Sequence, residues 1–308
     1  VPDALPDETA ALVEPFAAAL HAVHTVAPRP GDRVAVLGPR RLGMLVIAAL
    51  DAERRRDGAD FEIVAAARRP ALEPLARDLG ADAFVTVDAA GLPTDFADVV
   101  IDTTGAPEGL VSALRAARRE VHLKSTAGRP AAGLRHPTEL VVDELRVTPH
   151  AGEPPAGPVA WLAAGAPPPG LDAVTGPLAE LARRAAAAPF ETAVVDTAEG
   201  ADAAIRPEPG VERSLLRPGG TIRVVDGPAA GARDAALLHA VAGRGIVVST
   251  SRCGDFDAAL ARLGDDPRLA ELGPRLVSHR FGPDALAEAF RVAASPEARK
   301  VLVVHPAA

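Results

Sequence analysis

The 308-residue chain holds a single cysteine, Cys253. One thiol cannot build an internal disulfide framework, and it cannot supply a cysteine-cluster zinc site. Long apolar runs are missing too. None reaches the ~18 residues that a membrane-spanning helix needs, so no membrane span is expected. Nor is there a basic excess: 33 Lys and Arg stand against 41 Asp and Glu, a formal net charge of −8. Phosphate-rich partners are held by basic surface, so neither nucleic acid nor an anionic membrane is expected as a partner. Val1-Pro2-Asp3 opens the chain without the basic region and apolar core of a secretion signal. The expectation is a cytoplasmic protein that acts on a small molecule. The histidines (His21, His24, His122, His136, His150, His239, His279 and His305) show no ligand spacing such as i, i+4 on one helix. Apolar residues are plentiful at 48%, enough to bury one large or two small cores.

The chain is organised around Arg33-Val34-Ala35-Val36-Leu37-Gly38-Pro39-Arg40-Arg41-Leu42-Gly43 and the apolar helix that follows. A strand ends at a glycine, a tight turn follows, and a second glycine lies in the opening of a helix. This is the pattern of a dinucleotide-binding βαβ unit, whose helix N-terminus offers free N–H groups to a pyrophosphate. The third position of that fingerprint calls for glycine, and here it is Arg40. Its side chain either fills the phosphate space or turns its guanidinium onto the phosphate. The same stretch also reads as a purely structural α/β turn.

Periodicity then predicts a helix over 7–24, capped by Asp7 and broken near Glu14 by Pro15. Strands are expected at 33–38, 62–67, 84–87, 98–103 and 120–125, with helices at 42–55, 70–79 and 107–117. Near-continuous apolar strands between helices imply a doubly wound, mainly parallel α/β sheet of Rossmann-like type, covered on both faces. A Pro/Gly-rich passage, 149–170, reads as largely irregular linker around the apolar run Val159-Ala160-Trp161-Leu162. Beyond it the pattern predicts helix 177–188, strand 192–197, helix 210–216, a turn at Arg217-Pro218-Gly219-Gly220, strand 221–226, helix 232–243 and strand 246–251, with the strands parallel. Ala193-Val194-Val195-Asp196-Thr197 echoes Val99-Val100-Ile101-Asp102-Thr103. The inserted α/β segment is thus either a partial duplication or an unrelated embellishment.

Several segments in order carry a resemblance. They are Leu12 to His21, Pro30-Gly31-Asp32 leading into the Gly38 strand, Leu79-Gly80-Ala81-Asp82, and Asp102-Thr103-Thr104-Gly105-Ala106-Pro107-Glu108. Leu123-Lys124-Ser125-Thr126, Ser251-Arg252-Cys253-Gly254 and the tail from His279-Arg280-Phe281 to Lys300-Val301-Leu302-Val303 complete the set. Together they resemble the medium-chain dehydrogenase/reductases, in particular the polyol, threonine and glucose dehydrogenase branch. The resemblance covers 1–148 and 246–308. It implies a lead-in helix and linker over 1–30, a dinucleotide-binding domain over 31–148, an inserted segment over 149–245, and a C-terminal segment over 246–308 that completes the family fold. It also implies an N-terminal catalytic lobe, and this chain begins where that lobe would end. A homo-oligomer or a partner supplying the lobe is therefore an expected association.

The expected cofactor residues are Gly38, Arg40, Arg41, Leu42 and Gly43 at the turn, and Arg68 and Arg69 at the end of the second strand. No carboxylate stands at that strand end to hold a free ribose 2′-hydroxyl. Arginine suits a 2′-phosphate, so NADP is expected over NAD. Thr103, Thr104 and Gly105 end the fourth strand, and Lys124 and Ser125 end the fifth, at the edge where such sheets bind ligands. By the resemblance, Glu14 matches a glutamate at the catalytic zinc and Arg252 an arginine near the substrate. Zinc needs three protein ligands, and Glu14 alone is identifiable, so zinc is not expected in this chain. The resulting expectation is an NAD(P)-dependent oxidoreductase of the alcohol and polyol dehydrogenase type, truncated or catalytically impaired. A non-catalytic cofactor-binding or interaction protein is the alternative.

Overall fold

The computed structural model describes residues 5–151, 154–207, 213–225, 235–295 and 297–305. The lead-in is two helices, α1 (Asp7–Ala10) and α2 (Val13–Val26). Pro6 precedes α1 and no side chain caps it, so Asp7 is the first helical residue and not the cap. The break falls at Ala11-Leu12 and not near Glu14. Pro15 sits in the first turn of α2, where its missing N–H removes no helical bond.

The nucleotide-fold strands follow: β1 (Arg33–Leu37), β2 (Glu62–Ala67), β3 (Ala83–Thr86), β4 (Ala97–Asp102) and β5 (Ala117–Leu123). Between them lie α3 (Arg41–Asp57), α4 (Glu73–Asp78) and α5 (Pro107–Ala116). Each expected strand and helix here is present within a few residues. Val34 and Val36 pack into the core beneath α2 and α3, while Ala35 and Leu37 pack into the core on the opposite face. Alternate residues of one strand thus feed two cores, as a doubly covered sheet requires. Helix α3 ends with Arg54, Arg55 and Arg56 in its last turn and Gly58 in a left-handed cap, so cations sit at the negative dipole end.

The remainder runs α6 (Pro137–Val142), β6 (Arg146–Pro149), β7 (Val159–Trp161), β8 (Ala173–Val174), α7 (Leu178–Ala187), β9 (Phe190–Val195), α8 (Ala198–Ile205), β10 (Leu216–Val224), α9 (Ala236–Leu238) with a π-helical turn to Gly243, and β11 (Val247–Thr250). Helices α10 (Phe256–Asp265), α11 (Pro267–Ala270) and α12 (Leu272–Leu276) return to the first core. A separate parallel pair, β12 (Val277–Phe281) and β13 (Lys300–Val303), with α13 (Leu286–Ala293), closes the described chain.

One sheet of eleven strands has the order β3-β2-β1-β4-β5-β11-β6-β10-β9-β7-β8. The first six strands are mutually parallel, and so are the last five. The halves meet antiparallel at Val248↔Val147. The expectation of parallel inserted strands therefore holds within each half and fails at the seam. Two stretches of the chain repeat a strand–helix–strand–helix–strand unit: β4-α5-β5-α6-β6 and β9-α8-β10-α9-β11. Each unit's last strand joins the other unit, β6 beside β10 and β11 beside β5.

Two expected elements are corrected. Leu216 belongs to β10, buried among Phe190 and Ile222, and not to a helix over 210–216, whose residues 210–212 lie outside the described set. The helix of this unit is α8, where Thr197 caps the N-terminus by accepting from the Gly200 N–H at 3.0 Å. The turn expected at Arg217–Gly220 is an irregularity inside β10, since Leu216 pairs with Phe190 but Thr221 already pairs with Thr192. Of strand 221–226 and helix 232–243, Asp226 and residues 232–234 also lie outside the described set.

Candidate functional site

The carboxyl ends of β1, β2 and β4 border a crevice of about 1020 Å³. Gly38, Arg40, Arg41, Leu42, Gly43, Arg68, Arg69, Thr103 and Thr104 all line it. Gly38 has φ +80°, and a Cβ there would lie 2.6 Å from Thr104 Cγ2 and 3.2 Å from Thr104 Cα. A Cβ on Gly43 would lie 2.6 Å from Thr103 Oγ1. Both glycines are therefore required by close approach of β4 to the turn. The Thr103 hydroxyl bridges the carbonyls of Leu37 and Gly38, at 3.0 Å each.

Asp102 supports this edge from below. Its Oδ1 accepts from the Thr104 N–H at 2.9 Å and the Thr104 hydroxyl at 2.7 Å. Its Oδ2 is buried with no partner among the described residues. Burial raises the carboxyl to about 6, against the two Thr104 bonds that lower it.

The remaining candidates spread outward. Gly105 and Ser125 do not line the crevice; Gly105 pairs with Thr126, and Ser125 Oγ lies 3.2 Å from a Cβ built on Gly105. Arg41 Nε donates to the Arg299 carbonyl at 3.0 Å and its Nη2 to that of Ala293, which ties the C-terminal segment to the start of α3. Lys124 turns toward β11 and donates to the carbonyls of Ser251 and Arg252 at 2.9 and 2.6 Å. Burial lowers its ammonium to about 8, opposed by Glu144, Cys253 and Glu14.

Glu14 and Arg252 line different cavities. Glu14 borders one of about 330 Å³ with Arg40, Arg41 and Arg299. Arg252 borders one of about 390 Å³ with His21, His24, Glu144 and Cys253. The Arg252 N–H donates to Glu144 Oε1 at 2.8 Å, and His21 Nδ1 lies 3.5 Å from the same oxygen. Among the described residues no three His, Cys, Asp or Glu side chains cluster as a metal site. The cavity that holds Glu14 is lined by Arg40, Arg41, Arg299 and Lys300, a cationic set that does not fit a zinc ion.

Sequence reasoning missed Asp88, Ser112 and Arg115, which line the crevice from beyond β3 and from α5. It also missed a buried polar chain linking β5 to β11 through His122, Ser249 and Ser251. The signal was present: Glu120, His122 and Lys124 alternate along a strand read as buried on both faces.

The sheet order 3-2-1-4-5 with a sixth parallel strand, the glycine turn and the crevice at the switch point define a Rossmann-like dinucleotide fold. No family model matches the chain. Sorbitol dehydrogenase from Bacillus subtilis is 32% identical over 131 residues, 39% of this chain and 35% of that protein. (R,R)-butanediol dehydrogenase from the same organism is 31% identical over 154 residues, 48% of this chain and 43% of that protein. The chain thus spans less than half the length of the curated relatives it matches. A short chain alcohol dehydrogenase from Escherichia coli, solved with NADH, aligns with TM-score 0.53 at 13% identity, over 99% of this chain and 61% of that one. L-idonate 5-dehydrogenase from Escherichia coli aligns at 0.51 and 16% identity, over 98% and 58%. These two establish the fold alone. Over the matched residues the chain is similar to these sorbitol and butanediol dehydrogenases.

Proposed function

We propose that the crevice binds NADP(H) in preference to NAD(H), and that the chain is the cofactor-holding part of an alcohol or polyol oxidoreductase. The observation that carries this reading is the single crevice shared by the glycine turn, the N-terminus of α3 and the Arg68-Arg69 pair. Gly38 and Gly43 keep the turn low against β4 and leave room for a pyrophosphate at the helix start. Arg68 and Arg69 stand at the end of β2, where a 2′-phosphate attracts arginine and a bare diol attracts a carboxylate. Thr103 and Thr104 are fixed by their own hydrogen bonds and present a rigid floor at β4. When bound, the nicotinamide supplies a two-electron hydride acceptor or donor. The protein's part is to position it and to handle the accompanying proton.

The separation of Glu14 from Arg252 favours a second reading, in which this chain holds cofactor without turning over an alcohol by itself. A second copy, or a partner contributing a further lobe, then completes the site. Titration of NADPH and NADH by fluorescence or calorimetry tests both readings, on wild type and Arg40→Gly. Tighter NADPH binding by wild type is expected. Binding by Arg40→Gly alone would favour a crevice closed by Arg40, and tighter NADH binding by either protein would overturn the arginine assignment.

A further inference from the structure

Strand β5 and the residue that follows it carry three ionisable residues at alternate positions, Glu120, His122 and Lys124, each 8% exposed or less. Ser249 on β11 and Ser251 just beyond its end face them, also buried. None of these groups is used by the crevice. Burying three ionisable side chains in a sheet is costly, and packing alone would be served as well by apolar residues. Their hydrogen bonds, moreover, run in one direction.

Donor and acceptor rules fix that direction. An ionised Glu120 only accepts, so the Ser249 hydroxyl donates to its Oε1 at 2.5 Å. Ser249 has spent its one proton and must accept from His122 Nδ1–H at 2.9 Å. Burial holds the His122 ring neutral, down at about 3, so Nε2 bears no proton and accepts from the Ser251 hydroxyl at 2.9 Å. Ser251 in turn accepts from Lys124 Nζ at 2.9 Å. The other two ammonium protons go to the carbonyls of Ser251 and Arg252.

We propose that Lys124, Ser251, His122, Ser249 and Glu120 form a proton relay between β5 and β11, running from the Lys124 ammonium, seated on the carbonyls of Ser251 and Arg252, to Glu120. The relay spans four residues of strand, ~13 Å at ~3.3 Å per residue. It rests on the oxidoreductase reading above. Oxidation of an alcohol by a nicotinamide dinucleotide moves two electrons as hydride and leaves one proton to be removed. In the relay an N–H bond of Lys124 breaks as an O–H bond forms on Ser251. The former Ser251 proton makes an N–H bond at His122 Nε2. The Nδ1 proton passes to Ser249, whose own proton forms an O–H bond on Glu120. One proton has then crossed from Lys124 to Glu120, and no electrons have moved. Lys124 is left as a neutral amine able to take the next proton, and His122 has changed tautomer.

Charged and titratable groups surround the chain on every side. Lys124 faces Glu14 on α2, Glu144 after α6, and Cys253. His122 faces His21 on α2 and Arg146 on β6. Glu120 faces Arg146, Arg119 and Arg29.

The tautomer is the observable. In ¹⁵N-histidine-labelled full chain, the His122 ring signals are identified by their loss in His122→Gln. At pH 7 the ring is expected in the Nδ1–H form. As pH rises through the titration of Lys124, the Nε2–H form should grow. In Lys124→Arg, which cannot release a proton, or in Ser251→Ala, which cuts the chain if that variant folds poorly, no growth is expected up to pH 10. A ring that keeps one tautomer from pH 6 to 10 in wild type overturns the relay, and so does a change that persists in both variants. The readout needs no turnover, so its failure is distinct from an absence of dehydrogenase activity. Where alcohol oxidation is measurable, Ser249→Ala should slow it several-fold and change its solvent isotope effect, whereas a structural role alone would leave that isotope effect unmoved.

Discussion

Arg40 and Gly38 stand two residues apart in one turn and answer to different constraints. Gly38 is required by backbone, with φ +80°, and a methyl group there would lie 2.6 Å from the Thr104 Cγ2. Gly38→Ala should lower the unfolding midpoint by an amount equivalent to about 1–3 kcal/mol, the usual cost of a forced backbone conformation. It should also weaken dinucleotide binding, because Thr104 must move. Thermal melts with and without NADPH check both effects, and an unchanged melting temperature would contradict the close approach. On the proposed reading, Arg68 and Arg69 act through charge instead. Substituting both by alanine should remove a preference for NADPH worth about ten- to a hundredfold, since a charge-assisted arginine–phosphate contact contributes roughly 1.5–3 kcal/mol. NADH affinity should stay nearly constant in a calorimetric titration of the same variant. If NADPH and NADH weaken equally, the pair holds the dinucleotide by charge in general and not by its 2′-phosphate.

At the scale of the element, β5 and β11 couple fold to pH. His122 is held near 3 by burial, below its ordinary 6.5. Between those values the unfolded chain binds a proton that the folded chain does not, so stability falls as pH drops from about 6.5 toward 3. Asp102 works in the other sense. Its carboxyl is raised from 3.8 to about 6, so the folded state binds the extra proton and its contribution grows as pH falls through that window. The two oppose each other between about 4 and 6, and His122 alone acts below. Urea midpoints of wild type and His122→Gln, compared from pH 7 to pH 3.5, isolate the histidine. The wild-type advantage should shrink by at most ~1.4 kcal/mol per pH unit. A constant difference would mean that the ring is not buried neutral. These strands also show where sequence reading succeeds and where it stops. Apolar runs such as Val34 to Leu37 and Ile63 to Ala67 announce buried parallel strands, because both faces demand the same chemistry. Glu120, His122 and Lys124 were legible as an alternation, but their partners lie more than a hundred residues away on β11. Nothing local says which strand will be opposite, so the network could not be read. The crevice residues were legible because one local turn and three strand ends gather them. Arg252 and Glu14 were placed by resemblance, and the structure sets them in separate cavities.

At the scale of the molecule, the exchange of last strands makes two repeated units into one sheet. Each unit alone would lack a strand, β6 having crossed to β10 and β11 to β5. The core on one face runs without a gap from Ala35 and Leu37 in β1, through Val121 and Val248, to Ile222 and Val224 in β10. Side-chain bonds reinforce the crossing: Asp202 on α8 accepts from the Arg135 and His136 N–H groups ahead of α6, at 2.9 and 3.2 Å. The two repeated units therefore cannot separate without unpairing β6 from β10 and β11 from β5 at once. Trp161 is the sole tryptophan and sits in β7, in the second half, where its Nε1 donates to the Gly165 carbonyl at 3.1 Å. Its fluorescence reports that half, far-UV circular dichroism reports both, and quenching of bound NADPH reports the first. The three signals should give coincident urea midpoints, the mark of one cooperative unit. Substituting Val248 by Asp, a buried charge at the seam, should shift all three together. A tryptophan transition that precedes loss of NADPH binding would show instead that 159–224 folds as an appendage, with the exchange contributing little to cohesion.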